Sequence, residues 1–153
     1  MRKSISVFIA LAVLAVGGAA WAADTNTLTV SASVTGTCKF SSATSTLDFG
    51  ALDPSIPVLV NGSTTTQFWC TKGVTTTLAA LNGLNYSGTS RQMVGPAVTD
   101  LIPYSLTLTP DGNPNAGPGS PRTLNISGSV LAAAYTGATT GAYTDTVLIN
   151  ITP

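Results

Sequence analysis

Between residues 27 and 35 apolar and polar side chains alternate without a fault. Leu28, Val30, Ala32 and Val34 fall on one side; Thr27, Thr29, Ser31, Ser33 and Thr35 fall on the other. A period of two predicts a β-strand with one face meant for burial. The same rhythm recurs in short runs separated by turn residues. Residues 46–50 put Leu47 and Phe49 together, and residues 58–60 form an apolar patch that Asn61-Gly62 is expected to close as a turn. Residues 64–70 predict a strand with Phe68 and Cys70 on one face. After a turn at Lys72-Gly73, residues 74–81 predict another, closed by Asn82-Gly83. Short edge pieces are expected at 84–86 and 91–94. Ile102, Tyr104, Leu106 and Leu108 alternate cleanly, with Pro103 marking a strand start or an edge. A surface loop rich in Gly, Pro and Asn spans 110–121, a strand is expected over 123–130, and 137–141 reads as a turn. The final run, 143–151, aligns Tyr143, Asp145, Val147, Ile149 and Ile151 on one face. Such a succession of short strands, without an internal repeat, predicts a single all-β domain, a β-sandwich.

The first 22 residues lie outside that pattern. Arg2 and Lys3 precede an apolar run from position 5 to 16, and small residues ending in Ala20-Trp21-Ala22 follow. These are the three parts of a secretory signal peptide, with cleavage expected after Ala22. The apolar run is shorter than the ~20 residues a spanning helix needs, so the mature chain is not expected to span a membrane. In the mature part four basic residues, Lys39, Lys72, Arg91 and Arg122, stand against six aspartates, and Glu and His are absent. That balance excludes a phosphate-binding surface, and with it nucleic acid as a partner. Thr and Ser carry the solubility instead, which suits exposed strand faces.

Two cysteines, Cys38 and Cys70, travel to an oxidising compartment, and one disulfide is the economical reading. Two free thiols are the alternative; a metal site would lack ligands, because no His and no second Cys pair exist. Without His, histidine-assisted nucleophilic catalysis has no base. The aspartates are scattered, and Asp48, Asp53 and Asp111, each beside Gly or Pro or within one residue of them, read as turn formers. Asp145 stands apart, on the core-facing side of the last run, and is expected to anchor that run by hydrogen bonds. No enzyme and no cofactor are implied. Trp69, Tyr86, Tyr104 and Tyr135 leave open an aromatic binding platform, although core packing is the commoner use of such residues.

The ordered set of motifs resembles the spore coat protein U family, which includes the Csu-type pilins of the archaic chaperone–usher pathway. The alternating N-terminal strand runs into Val34-Thr35-Gly36-Thr37-Cys38, and Leu47-Asp48-Phe49-Gly50 follows. Phe68-Trp69-Cys70-Thr71-Lys72-Gly73 carries the second cysteine. Leu108-Thr109-Pro110-Asp111-Gly112 precedes the long loop, and the run from Gly141 through Tyr143 and Asp145 to Val147 closes the series.

The resemblance implies an immunoglobulin-like sandwich that lacks its last strand. Residues 1–22 would be the signal peptide, 23–36 a donor-strand segment and 37–153 the sandwich. A periplasmic chaperone would fill the groove first. The donor strand of an identical or related subunit, through Leu28, Val30, Ala32 and Val34, would replace it at an outer-membrane usher. The acceptor edge would include Tyr143, Asp145, Val147, Ile149 and Ile151. Export by the Sec pathway would lead to the periplasm and then to a fimbria on the cell surface, or to secretion, supporting adhesion or biofilm formation. Burying Leu28, Val30 and Val34 would contribute roughly 5–9 kcal/mol gross, and each ladder hydrogen bond about 1 kcal/mol more. Three alternatives stay open. Residues 28–34 could be an ordinary first strand. They could fill their own groove in a secreted or spore-coat-like protein. The domain could also be a single-domain adhesin.

Overall fold

The computed structural model describes residues 23–153; the expected signal segment, 1–22, lies outside the described residues. The chain divides into Met1–Ser33 and Val34–Pro153. In the first unit, residues 23–33 adopt no regular element and their side chains are exposed.

The second unit is an all-β, immunoglobulin-like sandwich of two antiparallel sheets. The strands are β1 (Cys38–Phe40), β2 (Val60–Cys70), β3 (Thr77–Ala80), β4 (Arg91–Val94), β5 (Leu101–Pro110), β6 (Arg122–Val130) and β7 (Ile149–Thr152). One short helix, α1 (Ala132–Tyr135), follows β6. The larger sheet runs β1-β2-β6-β5-β4, and the smaller pairs β3 with β7. The period-two runs explain the registers. Opposing inward positions such as Thr66 and Leu124, or Leu108 and Ile126, face one another directly, so each cross-strand row presents one kind of surface.

The Asn61-Gly62 turn expected from the sequence does not form. Both residues lie within β2, paired with Ser129 and Gly128 of β6. Gly62 and Gly128 stand opposite each other, and a β-carbon on either would press on Leu47 and Phe49. Those glycines therefore clear a seat where the 47–49 segment packs on the inner sheet face; long-range packing, not local turning, set the choice of Gly. Residues 84–85 form a turn and Tyr86 adopts no regular element, so the edge piece expected at 84–86 is absent, and α1 takes up residues for which no helix was expected. Pro103 pairs with Gln92 of β4, and β5 joins β6 only from Ser105 onward, so the missing N–H costs no bond there. Asp48, Asp53 and Asp111 each accept a backbone N–H two residues on, at 2.8, 2.8 and 3.1 Å, as turn formers do.

The core has two clusters. Phe68, Cys70, Leu124 and Ile126 form one, flanked by the half-buried Cys38, Phe40, Val74, Leu78, Ile149 and Ile151. Ile102, Val130 and Tyr135 form the other, covered by Phe49, Leu52, Met93 and Tyr104. Tyr135 closes this second cluster as a buried plug. Its hydroxyl donates to the carbonyl of Val58 at 2.8 Å and accepts the N–H of the same residue at 2.9 Å.

Candidate functional site: an open edge between β1 and β7

Cys38 and Cys70 are joined, with S–S 2.03 Å, and stand directly opposite each other in the β1–β2 ladder. The bridge fixes the three-residue β1, too short to hold itself, against the rim of the larger sheet. β1 pairs with β2 on one side and β7 pairs with β3 on one side. The two strands pack against the same core cluster, yet among the described residues no ladder joins them. Each therefore has an edge whose backbone groups lack a strand partner, next to apolar side chains that are only half covered.

The last alternating run keeps its parity along its whole length. Tyr143, Asp145, Val147, Ile149 and Ile151 are half-buried, and the residues between them are exposed. Only Ile149–Thr152 is a strand, however, because the upstream half hydrogen-bonds piecemeal. Leu148 accepts from the N–H of Leu81 at 2.8 Å, Thr146 accepts from Leu84 at 3.2 Å, and Thr144 forms a bridge with Val94. Asp145 accepts the Tyr104 hydroxyl at 2.7 Å, the Asn85 amide at 3.3 Å and its neighbour's N–H at 2.8 Å. Gly83 leaves room for this carboxylate, since a β-carbon there would collide with it. Burial first, and then the Asp145 carboxylate, push the Tyr104 hydroxyl well above the usual phenol range, so it stays a donor.

The candidate donor residues are fully presented. Leu28, Val30 and Val34 are 81%, 83% and 85% exposed, and Ala32 is exposed as well. The strand expected over 27–35 is absent, since an extended segment without a ladder partner has nothing to define it as one.

A cavity of about 500 Å³ adjoins the first core cluster, lined by Val74, Leu78, Pro110, Pro114, Asn115 and Arg122 among others. Three of its polar side chains, those of Thr76, Asn115 and Arg122, are already engaged. Arg122 bonds Asp111 at 3.0 Å and Asn115 at 3.2 Å and lies over the Phe68 ring at 5.1 Å. Asn115 in turn holds the Val74 carbonyl and the Thr76 hydroxyl, both at 2.6 Å. This clasp pins the Pro/Gly-rich loop over the disulfide. Sequence reasoning missed it, because a buried Asn in a loop looks like any other turn residue.

The aromatic platform does not form. Tyr135 is 1% exposed, and Tyr104 points inward to Phe49 and Asp145. Among the described residues no group of three potential metal ligands occurs, and no helix is long and apolar enough to cross a membrane.

The chain matches the Spore Coat Protein U domain family over residues 24–150. No curated protein matches it. Among solved structures it is similar to a chain in the crystal structure of the CsuC-CsuE chaperone-tip adhesion subunit pre-assembly complex. That complex comes from the archaic chaperone-usher Csu pili of Acinetobacter baumannii. The TM-score is 0.51 at 14% identity, covering 77% of this chain and 40% of that one. At that identity the likeness speaks for the fold, and the chain spans less than half the length of the one it matches.

Proposed function

The chain belongs to the Spore Coat Protein U domain family, and from that membership we propose that it is a structural subunit of a chaperone–usher fimbria that polymerises by donor-strand exchange. In this reading the chain is exported to the periplasm, held there by a chaperone, passed to an outer-membrane usher and displayed at the cell surface, where it supports adhesion. It has no catalytic role. The observation that carries the reading is a complementary pair. Among the described residues β7 has one edge without a strand partner, beside half-covered Ile149 and Ile151, and Leu28, Val30, Ala32 and Val34 alternate on an exposed segment. A strand added to that edge would gain main-chain hydrogen bonds and drop alternate side chains onto the open cluster. The same open edge makes an unfilled subunit prone to aggregate, which gives a chaperone its purpose.

The test is an unboiled SDS gel of the exported chain, made with its cognate chaperone and usher, beside a variant lacking residues 24–35. A heat-dissociable ladder is expected from the intact chain and none from the deletion. A synthetic peptide of residues 24–36 should raise the melting temperature of the deletion variant. A ladder that survives the deletion, or an intact chain that stays monomeric, would overturn the proposal.

A further inference from the structure

The point where the N-terminal segment leaves the sandwich is held by one side chain. Thr71, the residue after β2, accepts the N–H of Thr37 on its hydroxyl at 3.0 Å. The same hydroxyl lies 3.3 Å from the Thr37 carbonyl and 3.4 Å from that of Thr35, either of which can take its proton. The Thr71 N–H adds a backbone bond to the Thr37 carbonyl at 2.9 Å. Between the two threonines sits Gly36, where a β-carbon would press on Val74 at 3.2 Å and reach Pro153 at 3.6 Å.

We infer that Thr71 is a positioning residue that makes the N-terminal segment serve a second copy of this chain and not its own groove. The inference rests on the donor-strand reading above. A segment directly preceding β1 can lie along the free edge of β1 only by reversing in a hairpin. A parallel placement needs a crossover of a dozen residues or more, and only residues 35–37 are at hand. Short hairpin turns need a residue with positive φ. Gly36 is not in that region, and no residue other than glycine in the described chain is. The Thr71 hydroxyl holds the flanking groups in this non-turning form. A reversal upstream of the clasp would consume Ala32 and Val34 in the turn and leave only Leu28 and Val30 to fill the groove.

The experiment compares the exported chain with Thr71→Val, which keeps the shape and loses the hydroxyl, and with Thr71→Ser, which restores it. Each is scored for ladder on an unboiled gel and, in the monomer band, for protection of residues 24–35 against a broad-specificity protease. Loss of one net hydrogen bond should shift Thr71→Val about fivefold from ladder toward protected monomer, with Thr71→Ser like the parent. A second variant leaves Thr71 in place and inserts Asn-Gly-Gly between Val34 and Thr35, supplying the missing turn; it should also yield protected monomer, and it answers for Thr71→Val should that variant not fold. If both altered chains give the parental ladder, or monomer whose segment is cut freely, the positioning role is wrong while strand donation stands. If the parent itself forms no ladder, strand donation falls and the positioning role falls with it.

Discussion

On the β4 side of the sandwich, Val94 and Thr144 exchange backbone hydrogen bonds of 2.9 and 3.0 Å, and Arg91 reaches across to the carbonyls of Ala80 and Leu81 at 2.9 and 3.0 Å. Tyr104, Asp145 and Asn85 add side-chain bonds along the same seam. On the β1 side, β1 and β7 pack on one core cluster but share no ladder among the described residues. One run of sequence, 143–152, serves both: its upstream half is tied to β4 and to the turn at 84–85, and its downstream half is bonded, among the described residues, to β3 and to Leu81 just after it. The difference teaches how a sandwich whose two sheets share only one hydrogen-bonded seam keeps its shape. Directional polar bonds, which lose energy steeply when bent, fix the spacing of the sheets at one seam. The opposite seam can then stay apart instead of collapsing to bury its apolar side chains.

The largest expected effect comes from freeing the wall of the open seam. Replacing both Cys38 and Cys70 by Ser releases β1, and closing a loop of this size is worth about 3.5–4 kcal/mol in the chain-entropy account. Urea denaturation of the deletion variant lacking residues 24–35 should show a loss of that order. A loss under about 1 kcal/mol would mean that β1 is held by its ladder and not by the bridge.

The closed seam should break next. Asp145→Ala removes a carboxylate that accepts three hydrogen bonds and leaves the half-buried Tyr104 hydroxyl without its partner, so a loss of about 2–3 kcal/mol is expected. Tyr104→Phe should cost less, and the double variant should show coupling, because the two residues share one bond. Ile151→Ala sharpens the contrast from the other side. In the unfilled domain this half-covered side chain should cost only about 1 kcal/mol, and clearly more once the peptide of residues 24–36 is bound. Equal costs with and without peptide would show that the peptide does not cover Ile151.

The two seams were not equally legible in the sequence. The alternation of 102–108 and 123–130 showed the central strands, because each buries one face against partners of the same period. The parity of 143–152 was equally plain, since burial follows it residue by residue. What the pattern could not carry was anything decided by distant residues. Gly62 reads as half of a turn dipeptide until Leu47 and Phe49 are seen to need its vacant side-chain position. Arg91 reads as a surface cation until β3 supplies carbonyls for it. Thr71 is one Thr among many, and α1 lies in an Ala-rich stretch with no capping side chain to announce a helix.

The smallest effect lies beside the open seam, where the loop clasp can be loosened by acid. The backbone N–H of Thr123 first, helped by the Arg122 guanidinium and by Asn113, holds the Asp111 carboxyl well below the usual aspartate range. A carboxyl with a folded-state pKa below its unfolded value adds stability above about pH 4, where the unfolded chain has already released the proton. That contribution is lost as the pH falls through the folded value, because both states then bind the proton. Asp111 lies at the surface, so solvent screening should keep the effect under about 1 kcal/mol. Asp111→Asn should therefore melt slightly below the parent at pH 7, with the gap narrowing as the pH falls below about 4, since the unfolded parent then takes up a proton that the folded carboxylate does not. A gap that persisted or widened in acid would mean that the amide disturbs the loop itself, and the clasp would then be a matter of shape and not of charge.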